Sequence, residues 1–132
     1  MIVVDTSALF AIATREDERD MFVGVLEASN SAICSTVTYV ETIMVLTGRS
    51  SRLARSRVDD MFGLFLIKLV PVDQTLAEGA IRAFDRFGKG RHPARLNLAD
   101  CFSYALAKTR RLPLLFKGDD FGKTGIVPAW RP

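Results

Sequence analysis

Five acidic residues of this chain stand where an apolar run ends or where a helical pattern begins. They are Asp5, Glu41, Asp100, Asp119 and Asp120. Carboxylates that meet in one partly buried site repel each other and take up protons unless a cation compensates them. Oxygen ligands without His or Cys suit Mg²⁺ or Mn²⁺, and such a centre can activate water for in-line attack on phosphorus. If these acids converge, metal-dependent phosphodiester hydrolysis is the expected chemistry.

Each acid also has a purely local interpretation. Glu41 has the capping-box spacing after Thr38, and Asp100 has it after Asn97. Asp5 can cap the helix that follows it, and the late acidic pair can form a turn after a glycine. Helix starts gather at one edge of a parallel sheet in any case. The residues alone therefore leave both interpretations open.

Other chemistries fit this chain less well. His92 is the sole histidine, which excludes a pair of histidines acting as acid and base. Cys34 and Cys101 stand in apolar surroundings outside any CxxC motif, so we expect buried thiols rather than a zinc site or a disulfide. No GxSxG motif is present to support a serine hydrolase. The segment GDDFGKT has three residues between its glycines where a phosphate loop requires four.

Composition points to one globular domain, residues 1–132. The chain is 48% hydrophobic and 25% charged, which is ordinary for a folded domain. It lacks the roughly 20-residue apolar run of a membrane span and a signal-peptide pattern, so we expect a cytoplasmic protein. The net charge is +3, but the basic residues are clustered. Such clusters can track a phosphate backbone, or they can be solvated helix faces.

The hydrophobic pattern alternates strands with helices. Strand-like runs occur at residues 2–4, 32–34, 69–72 and 114–116, with a weaker one at 126–127. Helical spacing occurs at residues 8–13, 16–28, 38–46, 52–67, 74–87 and 98–109. This alternation is typical of βαβ units. It predicts an α/β fold, a three-layer α/β/α sandwich with a central mainly parallel sheet, whose sites form beyond the carboxyl ends of the strands.

Four segments together resemble a known family. They are DTSALF at the N-terminus, the acid in TYVET, the block GKGRHPARLNLADCFSYALAK and the closing PLLFKGDDF. In this order they resemble PIN-domain ribonucleases, and most of all the VapC toxins of bacterial toxin–antitoxin pairs. The resemblance covers nearly the whole chain and implies an acidic site that binds Mg²⁺ or Mn²⁺.

The resemblance also implies roles for individual residues. Asp5, Glu41 and Asp100 match the first three acids of the family, which act as metal ligands and catalytic residues. Asp119 is favoured as the fourth acid because it directly follows the strand and the glycine, with Asp120 as a supporter. Three further residues are implied as supporting ones: Thr6 or Ser7 as the hydroxyl that orients the first acid, and Asn97 at the border of the site.

A metal-dependent endoribonuclease is the function implied, leaving 5′-phosphate and 3′-hydroxyl ends. Five residues are expected to hold the RNA: Arg49, Arg52, Arg91, His92 and Lys117. A VapB-type antitoxin and a homodimer are the implied partners, and an apolar stripe with Met61, Phe62 and Phe65 could serve as core, dimer face or antitoxin groove. The alternative is a non-catalytic RNA- or antitoxin-binding PIN-like module. Phosphoacceptor domains and haloacid-dehalogenase-type phosphatases place their acids differently and are disfavoured.

Overall fold

Short buried strands alternate with longer helices, as the hydrophobic pattern predicts. The structure is a computed structural model that describes residues 1–49 and 52–131. Its strands are β1 (Ile2–Val4), β2 (Ala32–Ser35), β3 (Ile67–Val70) and β4 (Leu114–Leu115). Its helices are α1 (Thr6–Ala13), α2 (Arg19–Ala28), α3 (Thr36–Gly48), α4 (Ala54–Leu64), α5 (Gln74–Phe87) and α6 (Leu98–Arg110).

The sheet places β1 at the point where strand order reverses. Within residues 1–49 and 52–131, four strands form one sheet in the order β3-β2-β1-β4. All its pairings are parallel, and Val3 pairs with Ile33 on one side and Leu114 on the other. The chain leaves β1 toward β2 and β3, and later returns to the opposite side of β1 as β4. The carboxyl end of β1 is therefore a topological switch point, where α/β proteins form their sites.

Alternation along β1 separates two hydrophobic cores. Ile2 and Val4 point to one face and pack with Phe22 and other residues of α1, α2 and α4. Val3 points to the other face and packs with side chains of α5 and α6, including Phe87. Each fully buried large apolar side chain contributes about 1.5–3 kcal/mol, so both faces of the sheet must be covered. The three-layer α/β/α prediction is confirmed.

The apolar stripe of α4 belongs to the first core. Phe62 and Phe65 are buried in it, and Met61 packs against it from a partly buried position. Of the three uses considered for this stripe, the structure supports core. A docking face must be sought elsewhere.

Two strand predictions differ from the structure. The predicted strand at 69–72 is displaced, because β3 ends at Val70 and Pro71 follows, which has no N–H to continue the ladder. The run at 126–127 forms no full strand. There, the Leu114 N–H donates to the Val127 carbonyl and the Ala129 N–H donates to the Leu114 carbonyl, which gives a single bridge beside β4. Of the helices in residues 1–49 and 52–131, none combines the length and apolar character of a bilayer crossing.

Candidate active site

Three predicted acids line one pocket at the carboxyl edge of the sheet. The pocket measures about 290 Å³ and is lined by Asp5, Glu41 and Asp100 together with the first helical turns of α1. Asp5 directly follows β1, Glu41 lies on α3 and Asp100 lies in the first turn of α6. The three positions are far apart in the chain and belong to three elements. The residues alone left open whether these acids meet in one place. In the structure, the three of them do.

The local interpretation holds for two of these acids and fails for the third. Asp5 caps α1, and Asp100 forms a reciprocal capping box with Asn97. Helix α3 begins earlier than predicted, and its cap is Ser35, whose side chain accepts from the Thr38 N–H. Glu41 therefore lies in the second turn of α3 and is not a capping residue. Glu41 is a partly buried carboxylate that caps no helix, and this favours a functional role for it.

Asp5 is held by three hydrogen bonds in a buried position. Its side chain belongs to a residue only 3% exposed. The Ser7 N–H and the Ser7 hydroxyl donate to Asp5 Oδ2 at 3.0 and 2.8 Å. The Ser103 hydroxyl donates to Asp5 Oδ1 at 2.6 Å. Donors of this kind stabilise a buried carboxylate, and the structure identifies Ser7, rather than Thr6, as the hydroxyl that contacts Asp5.

Ser103 was not among the residues singled out from the sequence. It lies on α6 three positions after Asp100, and residues i and i+3 of a helix share a face. Once Asp100 is assigned to the pocket, that spacing is a signal for Ser103. The signal is weak because many buried serines bond only to their own helix.

Glu41 and Thr6 form the second part of the site. Burial raises the pKa of Glu41, a hydrogen bond from the Thr6 side chain lowers it, and the charge of Asp5 raises it again. The Thr42 hydroxyl donates to the Thr38 carbonyl at 2.7 Å, and its oxygen lies 3.4 Å from Thr6 Oγ1. Thr6 is thus the hydroxyl that serves Glu41, while Ser7 serves Asp5.

The pKa of Asp100 lies far from its ordinary value. The pKa of Asp100 is raised from 3.8 to about 7, mainly by burial and against a hydrogen bond from the Asn97 backbone that lowers it. The charges of Asp5, Glu41 and Asp120 contribute smaller parts of the same rise. Burial is the main cause of this shift, and the neighbouring carboxylates act in the same direction.

The two late acids face different surroundings. Both are exposed, and they follow β4 through Gly118, which adopts a left-handed backbone with φ of 102°. The charge of Asp120 acts on Asp100, whereas Asp119 lines a separate pocket that includes Glu18 and Trp130. These placements favour Asp120 as the fourth acid, and the choice between the two acids stays a prediction. Sequence order does not reveal this difference between two adjacent acids.

The predicted RNA-contacting residues divide into two groups. Arg49 lies over the ring of Phe10, which lines the acidic pocket, with its guanidinium 5.5 Å from the ring centre. Arg52 is exposed beyond α3, and Arg91 lies over the ring of Phe84 at 5.3 Å on the loop between α5 and α6. These three arginines have their charges on the surface, as a contact with RNA phosphates requires.

His92 and Lys117 both make contacts within this chain, His92 from a half-buried position and Lys117 on the surface. His92 accepts from the Ala94 N–H through Nδ1 at 3.0 Å and packs edge-on against Phe87. Lys117 forms ion pairs with Glu16 and, at 3.0 Å, with Glu18, and hydrogen bonds to these two carboxylates raise the pKa of Lys117. Its charge is therefore already matched by two acids. Both residues therefore have partners of their own, and their use as RNA contacts stays a prediction.

The donor set suits a hard cation, but the side chains do not form a closed shell. Asp5, Glu41 and Asp100 supply only oxygen, which suits Mg²⁺ or Mn²⁺. Among residues 1–49 and 52–131, no three His, Cys, Asp or Glu side chains lie together closely enough to hold a metal ion as they stand. Carboxylates repel each other when no cation compensates their charge, and this repulsion acts to keep the three side chains apart.

An extended apolar surface adjoins the acidic pocket. A groove of about 750 Å³ between α3 and the start of α6 is lined by Val40, Met44 and Leu98, and it includes Glu41 and Asn97 at its border. A second groove of about 400 Å³ continues past Leu98 to Ile81 on α5. Met44 is 67% exposed and Leu98 is 75% exposed. Contiguous exposed side chains of this size mark interaction surfaces.

Comparison with known proteins gives consistent results. The PIN domain family model matches residues 2–127. Ribonuclease VapC30 of Mycobacterium tuberculosis is 40% identical over 131 residues, covering 99% of this chain and 100% of that protein. The crystal structure of Mycobacterium tuberculosis VapC20, a sarcin-ricin loop cleaving toxin, matches with a TM-score of 0.79 and 23% identity over 100% of both chains. A chain of a toxin–antitoxin complex from Klebsiella pneumoniae matches over 100% of both chains, with a TM-score of 0.71 and 21% identity. The two structural matches, at these identities, bear on the fold.

Proposed function

This chain belongs to the PIN-domain family, and we propose that it is a VapC-type endoribonuclease, the toxin of a toxin–antitoxin pair. One observation carries the proposal: Asp5, Glu41 and Asp100, brought from three elements, line a single pocket at the switch point of the sheet. The full-length similarity to a curated VapC ribonuclease supports RNA as the substrate class. We also propose a cytoplasmic location, which suits an RNA substrate and two buried free thiols.

Asp5, Glu41 and Asp100 would hold Mg²⁺ or Mn²⁺, with Asp120 as the fourth acid. The oxygen-only donor set supports this choice, as does the raised pKa of Asp100, which a nearby cation would lower. When bound, the cation supplies an activated water and neutralises charge on the phosphodiester oxygens, so that hydrolysis leaves 5′-phosphate and 3′-hydroxyl ends.

The chain's own residues prepare this site. Ser7 and Ser103 orient the Asp5 carboxylate, and Thr6 does the same for Glu41. The Asn97 backbone N–H donates to Asp100 Oδ2 at 3.0 Å and keeps that carboxylate at the start of α6. Preorganised groups of this kind lower the cost of assembling a site around a metal and a substrate.

Surface arginines would bind the RNA backbone beside the pocket. Arg49 has the strongest structural support because its guanidinium stacks on Phe10, a pocket-lining residue. Arg52 and Arg91 extend the basic surface. Phosphate contacts of this type release counterions, so RNA affinity should fall as salt is added.

A VapB-type antitoxin and a second copy of this chain are the proposed partners. One structural neighbour belongs to a toxin–antitoxin complex from Klebsiella pneumoniae, and family membership extends the proposal of an antitoxin to this chain. We assign the homodimer contact to the apolar surface that includes Met44, Leu98 and Ile81, because a two-fold axis would bury the same exposed patch on both copies. This surface borders the acidic pocket through Glu41 and Asn97.

One observation favours a second candidate, a non-catalytic RNA- or antitoxin-binding module. Within the described ranges, no three ligand side chains stand at metal-holding distance. In that case the acids would serve the fold and the surface arginines would bind RNA without cleaving it.

Cleavage of RNA by the purified protein separates the two candidates. Wild type is incubated with labelled total RNA and Mn²⁺, with and without EDTA, beside the Asp5→Asn variant and the matched control Asp73→Asn, an exposed N-cap acid of α5. We expect wild type and Asp73→Asn to cleave, Asp5→Asn and the EDTA sample to be inactive, and the products to carry 5′-phosphates. Full activity in Asp5→Asn or in EDTA contradicts the nuclease proposal, and RNA binding without cleavage supports the second candidate.

A further inference from the structure

We propose that Ser103 is a positioning residue that sets the Asp5 carboxylate for metal ligation, as the last donor of an oriented chain of buried hydroxyls. The inference rests on the proposed function, because it concerns how the first acid of that site is held. It extends the proposal to a residue on a different helix, 98 positions away from Asp5 in the chain.

The contact between Ser103 and Asp5 is short and shielded from water. The two oxygens are 2.6 Å apart, Ser103 is 1% exposed and Asp5 is 3% exposed. A hydroxyl that donates to a carboxylate at this distance forms a strong, charge-assisted hydrogen bond. Water cannot easily replace the donor at such a buried position.

The direction of the hydroxyl chain follows from counting protons. An ionised carboxylate only accepts, and a serine has one hydroxyl proton, so Ser103 must donate to Asp5 and accept elsewhere. The Thr38 hydroxyl lies 3.3 Å from Ser103 and is therefore the donor to it. The Ser35 hydroxyl, 3.4 Å from Thr38 and accepting from the Thr38 N–H, is in turn the donor to Thr38. The chain runs from Ser35 through Thr38 and Ser103 to Asp5, and such chains polarise in one direction.

A second route reaches the other oxygen of the same carboxylate. The Lys117 N–H donates to Ser7 Oγ at 2.9 Å, and Ser7 donates to Asp5 Oδ2. Of the roughly four acceptor positions on a carboxylate, Ser7 fills two on Oδ2 and Ser103 fills one on Oδ1. One acceptor position on Oδ1 is therefore left for a cation. Without Ser103 only the two Ser7 donors at Oδ2 hold the carboxylate, and the direction of Oδ1 toward the metal is less closely fixed.

The same chain connects the elements that carry the three acids. Ser35 and Thr38 belong to the start of α3, which carries Glu41, and Ser103 belongs to α6, which carries Asp100. Ser103 thus has a role beyond satisfying a buried polar group. A merely structural serine would affect stability and leave metal affinity unchanged.

Metal binding by the folded protein tests the inference. Mn²⁺ affinity is measured by isothermal titration for wild type, Ser103→Ala, Ser103→Cys, Asp5→Asn and Tyr104→Phe, and the melting temperature of each is measured in EDTA. Tyr104→Phe removes a hydroxyl from the adjacent residue of α6 and is the matched control. We expect Ser103→Ala to weaken Mn²⁺ binding by about tenfold, within the range for residues that orient metal ligands. Ser103→Cys should fall between, because a thiol is a weak donor, and Tyr104→Phe should bind like wild type.

The outcomes separate this inference from the function on which it rests. If wild type binds Mn²⁺, Asp5→Asn does not, and both Ser103 variants match wild type, the positioning role is refuted while the metal site stands. If wild type and Asp5→Asn bind equally, or neither binds, the proposed metal site fails and the inference fails with it. Should Ser103→Ala not fold, the affinity of Ser103→Cys decides, since equality with wild type overturns the positioning role.

Discussion

Replacing Asp100 with Asn should stabilise the metal-free protein while removing its proposed activity. In the fold, burial and the charges of Asp5, Glu41 and Asp120 raise the pKa of Asp100 from 3.8 to about 7. The folded state therefore binds more protons than the unfolded state between these values, and the free energy of unfolding should fall as pH rises from about 4 to about 7. An asparagine at this position is neutral at every pH, so the variant does not lose this part of the free energy of unfolding as the pH rises. Its side-chain oxygen can still accept the hydrogen bond from the Asn97 N–H.

The magnitude follows from the same pKa change. The difference between 3.8 and about 7 corresponds to about 4 kcal/mol at pH 8 if taken in full. Asp100 is only partly buried, so solvent screening reduces the expected effect to about 1–2 kcal/mol. At pH 5 only part of this difference applies, because Asp100 with its raised pKa is still largely protonated in the folded state. We therefore expect Asp100→Asn to exceed wild type in stability at pH 8 by more than at pH 5.

Urea unfolding in EDTA at the two pH values measures this directly. Asp73→Asn serves as the control, because Asp73 caps α5 from an exposed position and Asn caps equally well. Adding Mn²⁺ at about 100 times its dissociation constant should return about 2.7 kcal/mol to wild type and much less to Asp100→Asn. The reasoning is refuted if Asp100→Asn is no more stable than wild type at pH 8, or if its advantage does not grow with pH.

Three further predictions concern the fourth acid, the RNA surface and the dimer. Asp120→Asn should lower the rate of RNA cleavage by about tenfold, as loss of a supporting ligand does, while Asp119→Asn stays near wild type in the same assay; the reverse order would restore Asp119 as the fourth acid. Arg49→Ala should reduce the salt dependence of RNA affinity by about one phosphate contact, measured by fluorescence anisotropy across a salt series, and an unchanged slope would remove Arg49 from the RNA surface. Met44→Glu should convert the dimer to monomer by placing a charge in the apolar contact, read by light scattering after gel filtration. A dimer that persists in this variant would assign the contact to another face.

The hydrophobic pattern was sufficient to predict the architecture. Runs of β-branched and aliphatic residues such as Ile2–Val4 mark strands buried on both faces, and the apolar spacing along residues 74–87 matches α5 at both ends. The end of a strand was harder to predict where a single residue interrupts the ladder. Pro71 ends the ladder of β3, because a proline cannot donate to the neighbouring strand.

Residues of the candidate site could be predicted where an acidic side chain stands directly after a strand or at the start of a helix. Asp5 follows a strand and Asp100 opens a helix, so both are visible as acids at the sheet edge. Glu41 needed the family resemblance, because its spacing after Thr38 also resembled a cap and only the position of Ser35 excludes that role. The charge of Lys117 was visible in the sequence, but its partners Glu16 and Glu18 were not.

By itself, the sequence determined the order of strands and helices and placed Asp5 at a strand end and Asp100 at a helix start, because side-chain periodicity and local capping depend on near neighbours in the chain. Only the tertiary structure decided that Ser103 donates to Asp5, that Asp120 rather than Asp119 acts on Asp100, and that Lys117 is matched by two acids. These contacts join residues from different elements, and their geometry depends on how the helices pack on the sheet and how the chain turns after β4. Packing of that kind leaves no periodic signal in the order of the residues.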